Sequence, residues 1–271
     1  MNDQKLLRKI QLIQLEIMKQ VDTICKKHNI KYFLCGGTAL GAVRHNGFIP
    51  WDDDLDIALP RDQYNRLLNV LKTELPEQYW LQSYATDEHY WQPFAKIRKV
   101  GTVYKEKGME KLDDTACGVW IDIFPFDYAG KKGTFRLKWK GYWVKLISFT
   151  LRAREFHLKN SSFSRRYVPA ILLLRCFPSS VLKKMQEKIM CGDTEKAMNF
   201  VCFAGAYGIK KETYPLVWFE ELIDIPFEDA MLSIPKGYDN YLKQLYGDYM
   251  QLPPVDKRKG HNISDLCKII V

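Results

Sequence analysis

Two aspartates separated by a single residue, Asp54 and Asp56, carry the clearest chemical signal in this chain. In an extended backbone, side chains at i and i+2 share a face. The spacing therefore projects both carboxylates together, while Leu55 and Ile57 turn into a core. Two like charges on one half-buried face repel. A divalent cation removes that cost, and Mg²⁺ is usually held by one or two carboxylates together with substrate phosphates. Upstream, an apolar run closes on Gly36-Gly37, and a glycine pair lets backbone N–H groups approach a phosphate closely. Thr38 is placed to cap a helix over residues 38–44, or to offer its hydroxyl to a phosphate. The N-terminus of that helix, directed at the glycine turn, favours an anion. At its other end Arg44 suits bidentate contact with a phosphate or the acidic cluster, or else complements the negative end of the helix; His45 reads as a residue of that helix end. A lone Asp-x-Asp is often a solvated turn. Here the flanking alternation and the glycine pair favour metal and phosphate.

A third carboxylate, Asp122, stands alone in the apolar run 118–125. A buried carboxylate without a partner is expensive. A metal shared with Asp54 and Asp56 is the simplest partner, which makes Asp122 a third ligand or a general base. Asp127 follows on an expected loop as a supporting carboxylate. In the strand expected over 94–100, Lys96 and Arg98 fall on one face and Ile97 on the other. The basic pair either points into the site or forms a solvated face.

With these residues in view, the chain resembles a known family. Gly36-Gly37, Asp54-Leu55-Asp56 and Asp122 are similar to the signature of the nucleotidyltransferase fold. More narrowly, GGTALGAVRHNGFIPWDDDLDI, KIRKVGT, GVWIDIFPFD and the ending YGDYMQLPP with a later histidine resemble the LicD family of phosphocholine transferases, which includes the fukutin-related proteins. The likeness spans residues 5–128 and 236–261; residues 131–211 match no motif of the family. The resemblance implies an α+β fold with a nucleotidyltransferase-like mixed sheet, flanking helices and an inserted helical, basic-aromatic subdomain. It implies phosphocholine transfer from CDP-choline to a hydroxyl of a teichoic acid or other surface glycan precursor, with release of CMP. Asp54, Asp56 and Asp122 would hold one or two Mg²⁺ ions, with Mn²⁺ as an alternative. Gly36, Gly37 and Thr38 would cradle phosphates, with Arg44, Lys96 and His261 as further substrate contacts. Relatives that move ribitol phosphate keep ribitol, glycerol and ethanolamine phosphate open as alternatives. A non-catalytic binding protein on the same fold is another. Choline calls for an aromatic surface; Trp51, Trp91, Trp120, Tyr128 and Tyr142 are available.

Positioning these residues requires a scaffold. Leu6, Ile10, Ile13, Ile17, Val21 and Ile24 recur at helical spacing and predict a packing helix over 3–28. Further helices are expected over 61–75 and 238–246, and strands over 31–35 and 79–84. A loop is expected over 205–214 and a hairpin over 216–234, before an extended strap that folds back over the site. The chain divides into a catalytic core at 1–130, a helical insertion at 131–211 and a C-terminal segment at 212–271. Between 131 and 188, lysine and arginine mix with aromatics, as in a helical subdomain or a basic surface on an anionic membrane.

Composition sets the outer bounds. The 271 residues include 41 Lys and Arg against 32 Asp and Glu, a net charge of +9. That balance suits anionic partners. No nucleic-acid-binding pattern is present, so no nucleic-acid partner is expected. Seven cysteines without a CxxC pair point to a reducing compartment. The N-terminus lacks an apolar signal region, and the apolar run 167–177 is too short to span a bilayer. A cytoplasmic location is expected, with contact at the inner membrane face.

Overall fold

The computed structural model describes residues 3–105, 117–155, 168–192, 196–258 and 260. His261 lies outside them. The fold is α+β. The chain forms two compact units, the first from residues 1–81, 96–125 and 217–271, the second from 82–95 and 126–216.

In the first unit, helix α1 (Asp3–Lys27) buries Ile10, Ile17 and Val21 completely, as its spacing demands. Burying each such side chain stabilises the fold by roughly 1.5–3 kcal/mol. Strand β1 (Phe33–Leu34) runs into α2 (Gly36–His45), and β2 (Asp56–Pro60) into α3 (Arg61–Glu74). With β3 (Tyr79–Gln82), β4 (Ala95–Lys99) and β5 (Trp120–Ala129) they build a sheet in the order β1-β2-β5-β4-β3. β1 pairs antiparallel with β2, Phe33 opposite Ala58 and Leu34 opposite Ile57. A hairpin of β8 (Leu222–Phe227) and β9 (Ala230–Pro235) is followed by helix α7 (Tyr238–Tyr246). The hairpin stands where the sequence places one.

Between β4 and β5 the backbones approach too closely for a side chain at Gly118. Its Cβ would stand against the Lys99 carbonyl oxygen, and Lys99 N–H donates to Val119 O at 2.7 Å beside it. No rotamer relieves a clash with backbone. Gly118→Ala is therefore expected to destabilise the protein by about 1–3 kcal/mol, read by chemical denaturation; an unchanged midpoint would mean that β4 moves freely against β5.

In the second unit, α4 (Phe135–Glu155), α5 (Val168–Leu174) and α6 (Ser179–Met190) share a core of Leu146, Ile147, Leu151, Ile171, Leu174 and Leu182. Gln186, fully buried, donates to Val144 O at 2.8 Å and Ser148 Oγ at 2.7 Å, and accepts from the Tyr84 hydroxyl at 2.6 Å. The end of β5 pairs with β6 (Asn199–Val201), and β6 with β7 (Thr213–Pro215). Sequence reading missed these strands, and β7 begins inside the expected loop. Both are three residues long, too short to show an alternation. Asp127, expected on a loop, lies in β5, buried and opposite Val201; the strand runs through Pro125 at a position where the ring replaces a backbone donor. Among the described residues, no helix is long and apolar enough to cross a membrane.

Candidate active site

The site is built around the junction of β1, α2 and β2. Cys35 N–H donates to Asp56 O at 3.2 Å, and Asp122 N–H donates to Leu55 O at 2.9 Å. These two bonds bring the glycine turn, the Asp-x-Asp segment and Asp122 together. The alternation holds: Leu55 and Ile57 are buried, while Asp54 and Asp56 are half-buried. The strand itself starts only at Asp56, and residues 52–55 form a loop.

The helix begins two residues earlier than the sequence suggests. Gly36 and Gly37 form its first turn, and Gly36 takes φ of 55°, a left-handed conformation suited to glycine. Thr38 does not cap it; the N-cap is Cys35, without a side-chain bond. The reason is a stronger claim on the hydroxyl: buried Thr38 Oγ1 accepts the Asp56 N–H at 2.8 Å, tying α2 to β2. Absent side chains at the glycines make room for carboxylates. A Cβ at Gly37 would lie 2.8 Å from Asp52 Oδ2, and one at Gly36 would lie 3.4 Å from Asp56 Oδ2 and 3.9 Å from the Tyr246 hydroxyl.

Electrostatics follow from this crowding. The Asp56 carboxyl is pushed well above the usual carboxylate range, first by burial, then by Asp122, Asp54 and Asp52, with Lys96 opposing. Lys96, 1% exposed, donates to Asp122 Oδ1 at 2.7 Å and sits 4.3 Å from the Trp120 ring centre. Arg98 lies 4.9 Å from the same ring and donates to Gly118 O at 2.8 Å. Both cations are buried, so the strand does not present a solvated basic face. Trp120 is closed as a choline surface: Lys96, Arg98 and the stacked Tyr104 ring at 4.8 Å leave it 2% exposed.

Among the described residues, ligand oxygens of Asp52, Asp53 and Asp54 lie within 4.8 Å of one another. Asp53, however, is fully buried and accepts the Tyr104 hydroxyl, which gives it a structural partner. The donor set around the loop is all carboxylate oxygen, mutually repulsive and half-buried, and it suits a hard divalent cation.

Several positioning residues escaped sequence reading. Gln11 Nε2 donates to Asp52 O at 2.9 Å, and Gln14 Nε2 to Asp53 O at 2.7 Å, so α1 clamps the acidic loop by its backbone. The Tyr241 hydroxyl accepts the Gly36 N–H at 2.8 Å. Arg44 spends its Nη1 on the strap, donating to Tyr249 O at 2.8 Å and Gln251 O at 3.3 Å, and its Nε on His45 Nε2 at 3.1 Å. The strap returns to the loop at Arg258, whose guanidinium is 5.3 Å from the Trp51 ring centre. A Cβ at Gly260 would lie 2.9 Å from Asp53 Oδ1. Of these contacts, the sequence announced Arg44 as a candidate and the return of the strap, but not the partners they meet.

The other aromatics considered for choline, Trp91, Tyr128 and Tyr142, belong to the second unit. There Trp91 faces Arg152 at 5.0 Å, Tyr128 tilts on Phe200 at 5.1 Å and Tyr142 stacks on Trp139 at 5.8 Å.

Comparison with known proteins gives the family of this chain. The family described as LicD/FKTN/FKRP, nucleotidyltransferase domain, matches residues 29–170. The lipopolysaccharide cholinephosphotransferase LicD of Haemophilus influenzae is 30% identical over 268 residues, covering 96% of this chain and 97% of that protein. An uncharacterized protein of Rickettsia prowazekii is 46% identical over 56 residues, 21% of each chain. On the extent of these matches, the chain belongs to the LicD/FKTN/FKRP nucleotidyltransferase-domain family.

Proposed function

We infer that this protein transfers phosphocholine from CDP-choline to a hydroxyl of a cell-surface glycan precursor, a teichoic acid or a lipopolysaccharide, and releases CMP. The observation that carries this reading is the convergence of Gly36-Gly37 with Asp52, Asp54, Asp56 and Asp122 in a chain related along nearly its whole length to a cholinephosphotransferase. Asp54, Asp56 and Asp122 would hold Mg²⁺, or Mn²⁺, as one ion or two; bound there, the metal supplies charge neutralisation at a diphosphate. The turn at Gly36 and Gly37, supported by Thr38, lies beside these carboxylates and receives the phosphates. Asp122 is the base: the acceptor oxygen forms a new bond to the phosphorus of phosphocholine and gives its proton to the carboxylate. The bond from that phosphorus to the oxygen bridging to CMP breaks, and CMP leaves with the electron pair. Lys96, paired with Asp122 Oδ1 at 2.7 Å, holds that carboxylate in place. His261 remains a proposed contact on the tail beyond Gly260.

A test is CMP release from a panel of CDP-alcohols, with Mg²⁺ or with EDTA. Metal-dependent release favouring CDP-choline is expected. Preference for CDP-ribitol, CDP-glycerol or CDP-ethanolamine would replace choline as the cargo. Failure of any CDP-alcohol to turn over, and to bind by calorimetry, would overturn the donor class and favour a non-catalytic binding protein.

Choline selectivity has its own residue. Trp51 adjoins the acidic loop and, unlike Trp120, is only half-buried, with His45 edge-on at 6.1 Å and Arg258 5.3 Å from its ring centre. A quaternary ammonium suits that surface. Trp51→Leu is expected to raise KM for CDP-choline about tenfold, the loss of one cation–π contact, with little change for CDP-glycerol. Equal losses for both donors would remove Trp51 from choline recognition.

A further inference from the structure

We propose that the second unit carries a docking surface for an anionic membrane, formed by the outer face of α4. Charge is the first observation. Residues 131–188 hold 15 Lys and Arg but only 2 Asp and Glu, a net +13 that exceeds the +9 of the whole chain. The positive charge of this protein is thus concentrated in one unit, and the remainder is net negative. The second observation is the face that α4 leaves uncovered. Its inner side buries Leu137, Val144, Ile147 and Leu151. Its outer side shows Phe135, 80% exposed, Trp139, 51%, and Tyr142, 37%, with Lys138 and Lys145 exposed along the same face. A solvated helix face is ordinarily polar; this one is aromatic and basic. Third, Leu172, Leu173 and Phe177 are also exposed in the same unit, which makes its surface apolar as well as basic.

Ring geometry selects the occupant. Phe135 and Trp139 stack at 6.0 Å and 20°, and Trp139 and Tyr142 at 5.8 Å and 20°. Stacked in series, the three rings run as one continuous strip along α4. What they offer is apolar area and polar tips, the property that places Trp and Tyr at the boundary between lipid and water. Flanking lysines then meet anionic headgroups. Contact is peripheral, since no described helix can span.

The experiment is co-sedimentation of the full chain with vesicles of phosphatidylcholine alone or mixed with phosphatidylglycerol, at low and high salt, with heparin as a soluble polyanion. Binding to the anionic vesicles at low salt is expected, weakened by salt. The triple variant Phe135→Ser/Trp139→Ser/Tyr142→Ser is expected to lower partitioning at least about tenfold while leaving heparin binding unchanged. The charge reversal Lys138→Glu/Lys145→Glu is expected to lower both by about tenfold or more. Circular dichroism checks that each variant is folded, and the surface reversal keeps the test decisive if the aromatic triple does not fold. Absence of vesicle binding at low salt, or binding that neither set of substitutions alters, would overturn the proposal. Equal dependence of heparin and vesicle binding on the aromatic residues would reassign the surface to a soluble polyanion.

Discussion

Asp56→Asn is expected to reduce CMP release by about 10³-fold or more, the scale on which loss of a central electrostatic group at a phosphoryl-transfer site is felt. The same substitution is expected to raise the melting temperature. Asp56 is half-buried beside Asp122, Asp54 and Asp52, and burial together with those three charges pushes its carboxyl well above the ordinary range. A neutral side chain of the same shape removes the repulsion and keeps the Asp56 N–H bond to Thr38 Oγ1, which is backbone. The sign follows from linkage. A carboxyl raised in the folded state contributes stability below its unfolded pKa and loses it as pH rises through the folded value. Asparagine does not lose it, so its advantage grows with pH across that window, when measured in EDTA so that no cation offsets the charge. Gain of stability with loss of activity is the mark of a site strained for function. Lower stability together with lost activity would make Asp56 structural instead, and retained activity would remove it from the machinery.

Lys96→Met is expected to cost about 3–5 kcal/mol of stability, because it leaves a buried charge without its partner. The Lys96 side chain is 2% exposed and that of Asp122 is 14% exposed, with 2.7 Å between their charged atoms. Removing the ammonium takes away the cation that opposes Asp122, Asp56, Asp54 and Asp52. It also strips a cation from the Trp120 ring. Asp122→Asn in the same chain is expected to recover most of the loss, since both charges then vanish. A double-mutant cycle by urea denaturation measures this coupling. A single-variant cost below about 1 kcal/mol, the range of an exposed pair, or additive effects, would show that Lys96 and Asp122 are held by other contacts.

These two residues also show where the amino-acid sequence stops. Spacing alone put Asp54 and Asp56 on one side and Leu55 and Ile57 on the other, because that alternation is a local property of extended backbone. It likewise delivered α1, α7 and the β8–β9 hairpin, whose apolar periods or paired strands are written over neighbouring residues. The glycine pair and the lone carboxylate of Asp122 were legible from their neighbours in the same way, and the family resemblance implied the same residues. Tertiary structure alone decided which polar group answers which. Thr38 was read as a cap because a cap is a local device, yet its hydroxyl is claimed by Asp56, 18 positions away. Gln11 and Gln14 look like ordinary helix residues until the acidic loop settles over them, 41 and 39 positions on. Tyr241 and Arg44 each reach across 205 positions, one to the glycine turn and the other to the strap. Trp120 passed for an open aromatic surface until β4 laid Lys96 and Arg98 over it. The physical reason is common to all of them. Periodicity states which side of an element is apolar, but a hydrogen bond or an ion pair needs two partners in register, and register between distant segments is set only when the sheet and helices pack.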